Sequence, residues 1–151
     1  MRITDILRKE CVRVGMKAAD KTAAITELVD LLNENGLLTD RDTVLKAVLE
    51  REETRSTGIG LGLAVPHGKS HGCTTLVLAI GKPATPMEFE AIDGRPCDAI
   101  VLLASPVDKT GPHIQALASI SRLWQTEEFR KAMKEAQTAA DVHAAIERQQ
   151  G

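Results

Sequence analysis

The sequence predicts an α/β sandwich around one mixed sheet. Two helical patterns open the chain, apolar runs fill its middle, and helical patterns close it. The runs Thr75–Ile80 and Ala99–Ala104 are continuously apolar, as central strands buried on both faces are. At 151 residues the chain is the size of one domain, and residues 1–151 carry no linker, repeat or low-complexity segment.

Each element follows from local pattern. Cys11-Val-Arg-Val-Gly-Met16 alternates and suits a short strand. Asp20 caps a helix in which Ala24, Ile25, Leu28, Leu31 and Leu32 share one face, and Asn35-Gly36 ends it. Asp40 caps a second helix with Val44, Leu45, Val48 and Leu49 as its stripe and Glu50-Arg-Glu-Glu53 at its polar end. The glycines between Thr57 and Pro66 rule out a stable helix, and Leu61–Val65 is expected as a strand ended by Pro66. Met87-Glu-Phe-Glu90 suits a short edge piece, and Ile92-Asp-Gly-Arg95 holds a turn signal. A third helix begins near Thr110–Pro112, where the missing proline N–H does no harm, and runs to about Trp124, burying Ala116, Leu117, Ile120 and Leu123. Shorter helices are predicted near 126–136 and 138–148. Thr126-Glu-Glu opens the first and Thr138-Ala-Ala-Asp141, a capping-box pattern, opens the second.

Composition excludes several function classes. With 43% hydrophobic and 26% charged residues, the chain falls among soluble globular proteins. No apolar run approaches the roughly 20 residues that span a bilayer, and charges break up the first ten residues, so no signal core forms there. The expectation is a cytoplasmic protein without direct membrane insertion. A net charge of −2 supplies no basic field for nucleic acid. One Trp, two Phe and no Tyr leave too few platforms to stack bases. Cys11, Cys73 and Cys97 are odd in number and form no CxxC, so they are expected as core residues rather than a disulfide framework or zinc knuckle.

The informative stretch is Gly58-Ile-Gly-Leu-Gly-Leu-Ala-Val-Pro-His67-Gly-Lys. A dinucleotide fingerprint needs glycine at position 63, where Leu63 stands, and a helix directly afterwards. A phosphate-binding P-loop ending Gly68-Lys69-Ser70 needs the same glycine, and Pro66 removes a cradling N–H. His67 and His71 are spaced as a helical metal pair, but Gly68 and Gly72 disfavour that helix and no third ligand stands nearby. What remains is a histidine at the end of a strand, its backbone fixed by Pro66 and given open space by Gly68. A nucleophilic imidazole needs such presentation: neutral, reachable, and with its second nitrogen held by a hydrogen bond. The plainer alternative is a turn histidine with no task.

Two residues support the chemical reading. His113 falls at the predicted start of the third helix, where unpaired N–H groups favour an anion and the helix dipole favours a neutral ring. Arg51, at the end of the second helix, can bind a phosphoryl group through its planar fork. Each has a plain alternative, a surface histidine and a solvated arginine. His71 and His143 lack supporting context and are expected at the surface.

Glu52, Ile59-Gly60 and Leu63-Ala-Val-Pro-His-Gly68 together resemble the phosphorylation-site signature of fructose- and mannitol-type IIA proteins of the bacterial phosphoenolpyruvate-dependent phosphotransferase system. The likeness continues through Ser56–Gly60, Phe89–Asp93, His113–Leu123 and the opening Leu7–Val14, so it covers essentially the whole chain. Ser56–Gly60 and Phe89–Asp93 point to the stand-alone, nitrogen-related branch. The resemblance implies a mixed five-stranded sheet flanked by helices. It implies that His67 accepts a phosphoryl group on Nε2 from an HPr-type phosphocarrier and passes it to a IIB acceptor. It implies that His113 is the second active-site histidine and Arg51 the phosphate-contacting arginine, and it assigns nothing to Lys69 or His71.

The expected mechanism is in-line attack by neutral His67, with positioning and electrostatics supplied by Arg51 and the helix start near His113. No cofactor or metal is expected. Ile59, Leu61 and Leu63 are candidates for partner docking, although Leu63 equally suits a buried strand. Two other readings stand beside this one. In the first, phosphorylation of His67 is a signal that controls binding to target proteins, as in a nitrogen- or potassium-type regulator. In the second, the chain is a hydrolase or metal protein, for which no GxSxG, HExxH or Cys-His cluster is present.

Overall fold

The computed structural model describes residues 2–150. A 3-10 turn at Ile3–Asp5 leads into β1 (Leu7–Met16), α1 (Lys21–Glu34) and α2 (Arg41–Thr54). Three short strands follow, β2 (Gly58–Gly60), β3 (Leu63–Ala64) and β4 (His67–Lys69), then β5 (Val77–Pro83) and β6 (Ala99–Ser105). Helices α3 (Thr110–Gln125), α4 (Glu127–Glu135) and α5 (Ala139–Gln150) complete the fold.

The caps form where short polar side chains precede helical periodicity. Asp20 accepts from the Ala23 N–H at 2.8 Å and Asp40 from the Thr43 N–H at 3.1 Å. Gly36 ends α1 with φ +72°. Thr138 and Asp141 bond reciprocally, at 3.1 and 3.2 Å. Thr126 flanks α4 without a side-chain cap bond, and Glu127 and Glu128 instead place negative charge at the positive end of that helix.

The sheet runs β1-β5-β6-β3-β2, with β4 also beside β6. β1 is parallel to β5, β5 antiparallel to β6, and β2 antiparallel to β3. β3 and β4 keep one register along β6: Ala64 opposes Ile100 and His67 opposes Leu103. They are one strand interrupted at Val65-Pro66, which makes the sheet five-stranded and mixed. Pro66 cannot donate, but its carbonyl still accepts the Leu103 N–H at 3.0 Å. Side chains alternate along β6. Ile100, Leu102 and Ala104 pack with α1 and α2, while Val101 and Leu103 pack with α3, α4 and α5. The three cysteines are buried and free.

Three expectations change. β1 begins at Leu7, four residues before Cys11. Met87–Glu90 contributes only an isolated bridge from Met87 to Cys97. Leu61 is not in a strand. Leu61 (φ +60°) and Gly62 (φ +77°) form the two-residue turn of the β2–β3 hairpin, and pairing resumes only at Leu63. Positive φ at both central positions is the backbone twist such a hairpin favours.

Candidate active site around His67

The break in the β3–β4 strand aims the imidazole. The Val65 N–H donates to the Thr57 carbonyl at 3.0 Å, and the Val65 carbonyl lies 2.7 Å from His67 Nδ1. A carbonyl only accepts, so Nδ1 carries the proton and Nε2 holds the ring's available lone pair. The ring is half-buried. Burial holds its pKa below the ordinary histidine value; the Val65 bond and Glu52 oppose that shift, while Arg51 adds to it. The ring is therefore neutral at pH 7.

Gly68 does not leave open space. A Cβ there would sit 3.1 Å from the Val48 backbone nitrogen, so the glycine lets α2 approach β4 closely. The pleat explains both neighbours: His67 faces the α3 side and Gly68 the α2 side.

His113 stands across from His67, with ring centroids 5.4 Å apart and planes at 59°. It is only 5% exposed. Its Nδ1 lies 2.5 Å from Ser105 Oγ. With that hydroxyl donating, His113 carries its proton on Nε2. Burial, then His67 and Lys69, push its pKa down to about 4, so it too is neutral. Its backbone N–H already donates to the Lys109 carbonyl at 3.0 Å, so it is not a free donor of the helix start. Burial, rather than the helix end, keeps this ring uncharged.

Arg51 in the last turn of α2 donates from Nη1 to the Arg55 carbonyl at 2.8 Å and lines a cavity of about 490 Å³ that also borders His67. Lys69, two residues along the same strand, donates to Thr110 Oγ1 at 3.3 Å. The sequence reading gave Lys69 no role and overlooked Ser105. The period-2 spacing of His67 and Lys69, and the lone hydroxyl closing an apolar strand, are the signals that mark them. Ile59, Ile92 and Ile114 form an exposed apolar rim, Ile114 at 60% exposure. Leu61 joins the exposed residues at the hairpin tip, whereas Leu63 is fully buried and drops out as a docking residue. His71 is exposed, and His143 is half-buried on α5 rather than at the surface. A larger hollow of about 820 Å³, bordered by Leu61, Asp98 and Lys134, holds no histidine, so size alone does not locate the chemistry. Among the described residues no helix is long and apolar enough to cross a membrane.

The fold and the paired imidazoles define a class: a mixed-sheet α/β sandwich with a reachable histidine at a strand break and a second one buried beside it. The family model for the phosphoenolpyruvate-dependent sugar phosphotransferase system, EIIA 2, matches residues 5–149, and the chain belongs to that family. The fructose-specific EIIABC component of the Bacillus subtilis phosphotransferase system is 33% identical over 138 residues. That match covers 91% of this chain and 22% of the longer relative, so the chain spans about a fifth of that protein's length. The crystal structure of nitrogen regulatory protein IIA-Ntr from Neisseria meningitidis superposes with a TM-score of 0.87 at 28% identity, covering 95% of this chain and 98% of that one. Enzyme IIAMTL from Escherichia coli, solved in complex with phosphorylated enzyme IIBMTL, shares the fold with a TM-score of 0.81 at 19% identity over 95% of this chain and 99% of that one.

Proposed function

We propose that this protein is a phosphohistidine carrier, that His67 is its phosphoryl acceptor, and that residues 1–151 act as one IIA domain in the cytoplasm. The observation that carries this reading is the bond from His67 Nδ1 to the Val65 carbonyl, which leaves Nε2 as the nucleophile. A phosphohistidine of an HPr-type carrier approaches over the apolar rim. As the phosphorus–nitrogen bond of the donor breaks, a bond from phosphorus to His67 Nε2 forms. The donor ring, protonated on its other nitrogen, leaves as a neutral imidazole with the electron pair. The Nδ1–H of His67 stays on the ring, hydrogen-bonded to the Val65 carbonyl, so the charge passes to the new phosphohistidine and no proton has to move. Arg51, and His113 through its Nε2–H, hold the equatorial oxygens in the transition state. Because donor and acceptor are both imidazoles, the transfer is near balance, so the group stays labile on His67 and can move on to a IIB acceptor, the kind of partner seen with enzyme IIAMTL.

The test is transfer of label from phosphoenolpyruvate through enzyme I and an HPr-type carrier. One acid-labile, base-stable phosphate is expected per chain, and none on His67→Ala. Persistent labelling of that variant would sink the assignment. A second reading is favoured by the likeness to IIA-Ntr: the phosphate, about two negative charges beside the apolar rim, acts as a signal that switches binding to target proteins. Comparing the proteins retained by phosphorylated and unmodified chain distinguishes the two destinations.

A further inference from the structure

The carbonyl that selects the reactive nitrogen of His67 is itself held from both sides. On one side, the Pro66 carbonyl accepts from the Leu103 N–H in the centre of the sheet. On the other, the Val65 N–H donates to the Thr57 carbonyl. The first anchor is built into the core. The second sits at the head of β2, a strand of only three residues, and needs an anchor of its own.

Glu52 supplies that anchor. It is 7% exposed at the end of α2. Its Oε2 accepts the Thr57 N–H at 2.9 Å and its Oε1 accepts the Thr57 hydroxyl at 2.5 Å. The carboxylate is fixed in turn by Lys21, whose Nζ lies 3.0 Å from Oε2. Lys21 packs over the Phe89 ring, 5.4 Å from its centroid. A buried ion pair of this kind adds little net stability, because desolvation offsets the attraction. What it contributes is fixed geometry: Oε2 is held between the Thr57 N–H and Lys21, Oε1 takes the Thr57 hydroxyl, and Lys21 is held in turn by Glu90 at 3.3 Å. Glu52 borders a different hollow from the one beside His67, so, apart from the through-space charge that opposes the lowered pKa of the ring, it reaches His67 by way of Thr57 and Val65.

We propose that Glu52 is a positioning residue that, through Thr57 and the Val65 carbonyl, sets which ring nitrogen of His67 bears the proton and which attacks phosphorus. This rests on His67 being the acceptor, but its first test does not involve phosphoryl transfer. Nitrogen-15 NMR of the free protein, at a pH where the ring is neutral, reads the two tautomers directly. The wild type should hold the Nδ1–H form. Glu52→Ala should raise the Nε2–H fraction and slow phosphoryl acceptance about tenfold, the low end of what losing the partner that orients a metal-bound histidine costs. Glu52→Gln can still accept from the Thr57 N–H and donate to its hydroxyl, so it should restore both the tautomer and the rate.

An unchanged tautomer ratio in folded Glu52→Ala overturns the proposal. So does a Gln variant as impaired as the Ala variant, since that would assign the effect to charge rather than to geometry. If Glu52→Ala does not fold, Thr57→Val removes one of the two bonds while keeping the shape. A smaller shift in the same direction is then expected, and no shift overturns the inference. A wild type that holds the Nδ1–H form yet never takes phosphate would sink the carrier reading and the attack that rests on it, while the tautomer shift in Glu52→Ala would still decide whether Glu52 places the ring proton.

Discussion

The strand break at His67 and the first turn of α3 at His113 carry the same side chain into opposite surroundings. At the break, a backbone carbonyl takes Nδ1 and leaves the rest of the ring half-exposed beside an apolar rim. At the helix, the ring is 5% exposed and a hydroxyl is the partner. A carbonyl dictates the tautomer, whereas a hydroxyl can donate or accept. The first arrangement commits one nitrogen to attack. The second leaves a neutral donor whose proton position can follow the charge it faces. The role of each imidazole is set by its neighbours, and burial decides which of the two a partner can touch.

The comparison breaks most sharply at the rings themselves. His67→Ala should lose phosphoryl acceptance altogether, while His113→Ala should still accept and then pass the group on about a hundredfold more slowly, the scale of one lost transition-state donor. Label transfer followed in both directions checks this. Equal loss in both variants would mean that the two regions share one role, and unchanged onward transfer would remove His113 from the reaction.

Stability should also separate them. The His113 ring titrates at about 4 in the folded protein, against about 6.5 in the unfolded chain. Below about pH 6.5 the unfolded chain binds a proton that the folded one refuses. Stability is therefore full above that pH, falls as pH drops, and levels off near pH 4, with a loss on the order of 3 kcal/mol. The shift at His67 has the same sign and adds to the slope. Urea unfolding at about pH 7 and about pH 4.5 should give a visibly shallower pH dependence for His113→Gln than for the wild type. An unaltered slope would mean that His113 is not the group the fold keeps neutral.

Arg51 tests the cationic side of the same pocket. Arg51→Lys keeps the charge but loses the planar fork, and phosphoryl acceptance should fall about tenfold with little change in stability. Equal rates would show that charge alone is used.

Much of this was legible in sequence because it is local. Asp20, Asp40 and the Thr138/Asp141 pair cap where their spacing says they should, since a cap bonds only three residues ahead. His67, His113 and Arg51 could be singled out by position in their elements, and they do converge on one region. What was hidden depends on contacts between elements. Glu52 is two residues before the helix end, and nothing in its surroundings reveals that Thr57 lies within reach of its carboxylate. Gly68 looked like open space because the approach of α2 is invisible along the chain. Leu61 looked like a strand residue because its pattern is apolar, yet two flanking glycines let a hairpin turn take the position instead.

That turn offers the finest test of how the two regions differ. The break around His67 has a strained and exposed neighbour, while the His113 region has none of this kind among the described residues. Leu61 holds a left-handed backbone in which its Cβ crowds the following carbonyl oxygen at a cost of about 1 kcal/mol, and its N–H is tied to Asp93 Oδ2 at 3.1 Å. Its side chain is 42% exposed, so packing within the chain does not account for it. Leu61→Asn creates the Asn-Gly pair that this turn type favours and should stabilise the fold by about 1 kcal/mol. The same change removes an exposed apolar side chain two residues along the chain from Ile59 of the rim, so it should raise the carrier concentration needed for half-maximal labelling about threefold while leaving the rate at saturation intact. A gain in stability with unaltered carrier binding would mean that the tip lies outside the docking surface, and that Ile59, Ile92 and Ile114 form it without Leu61.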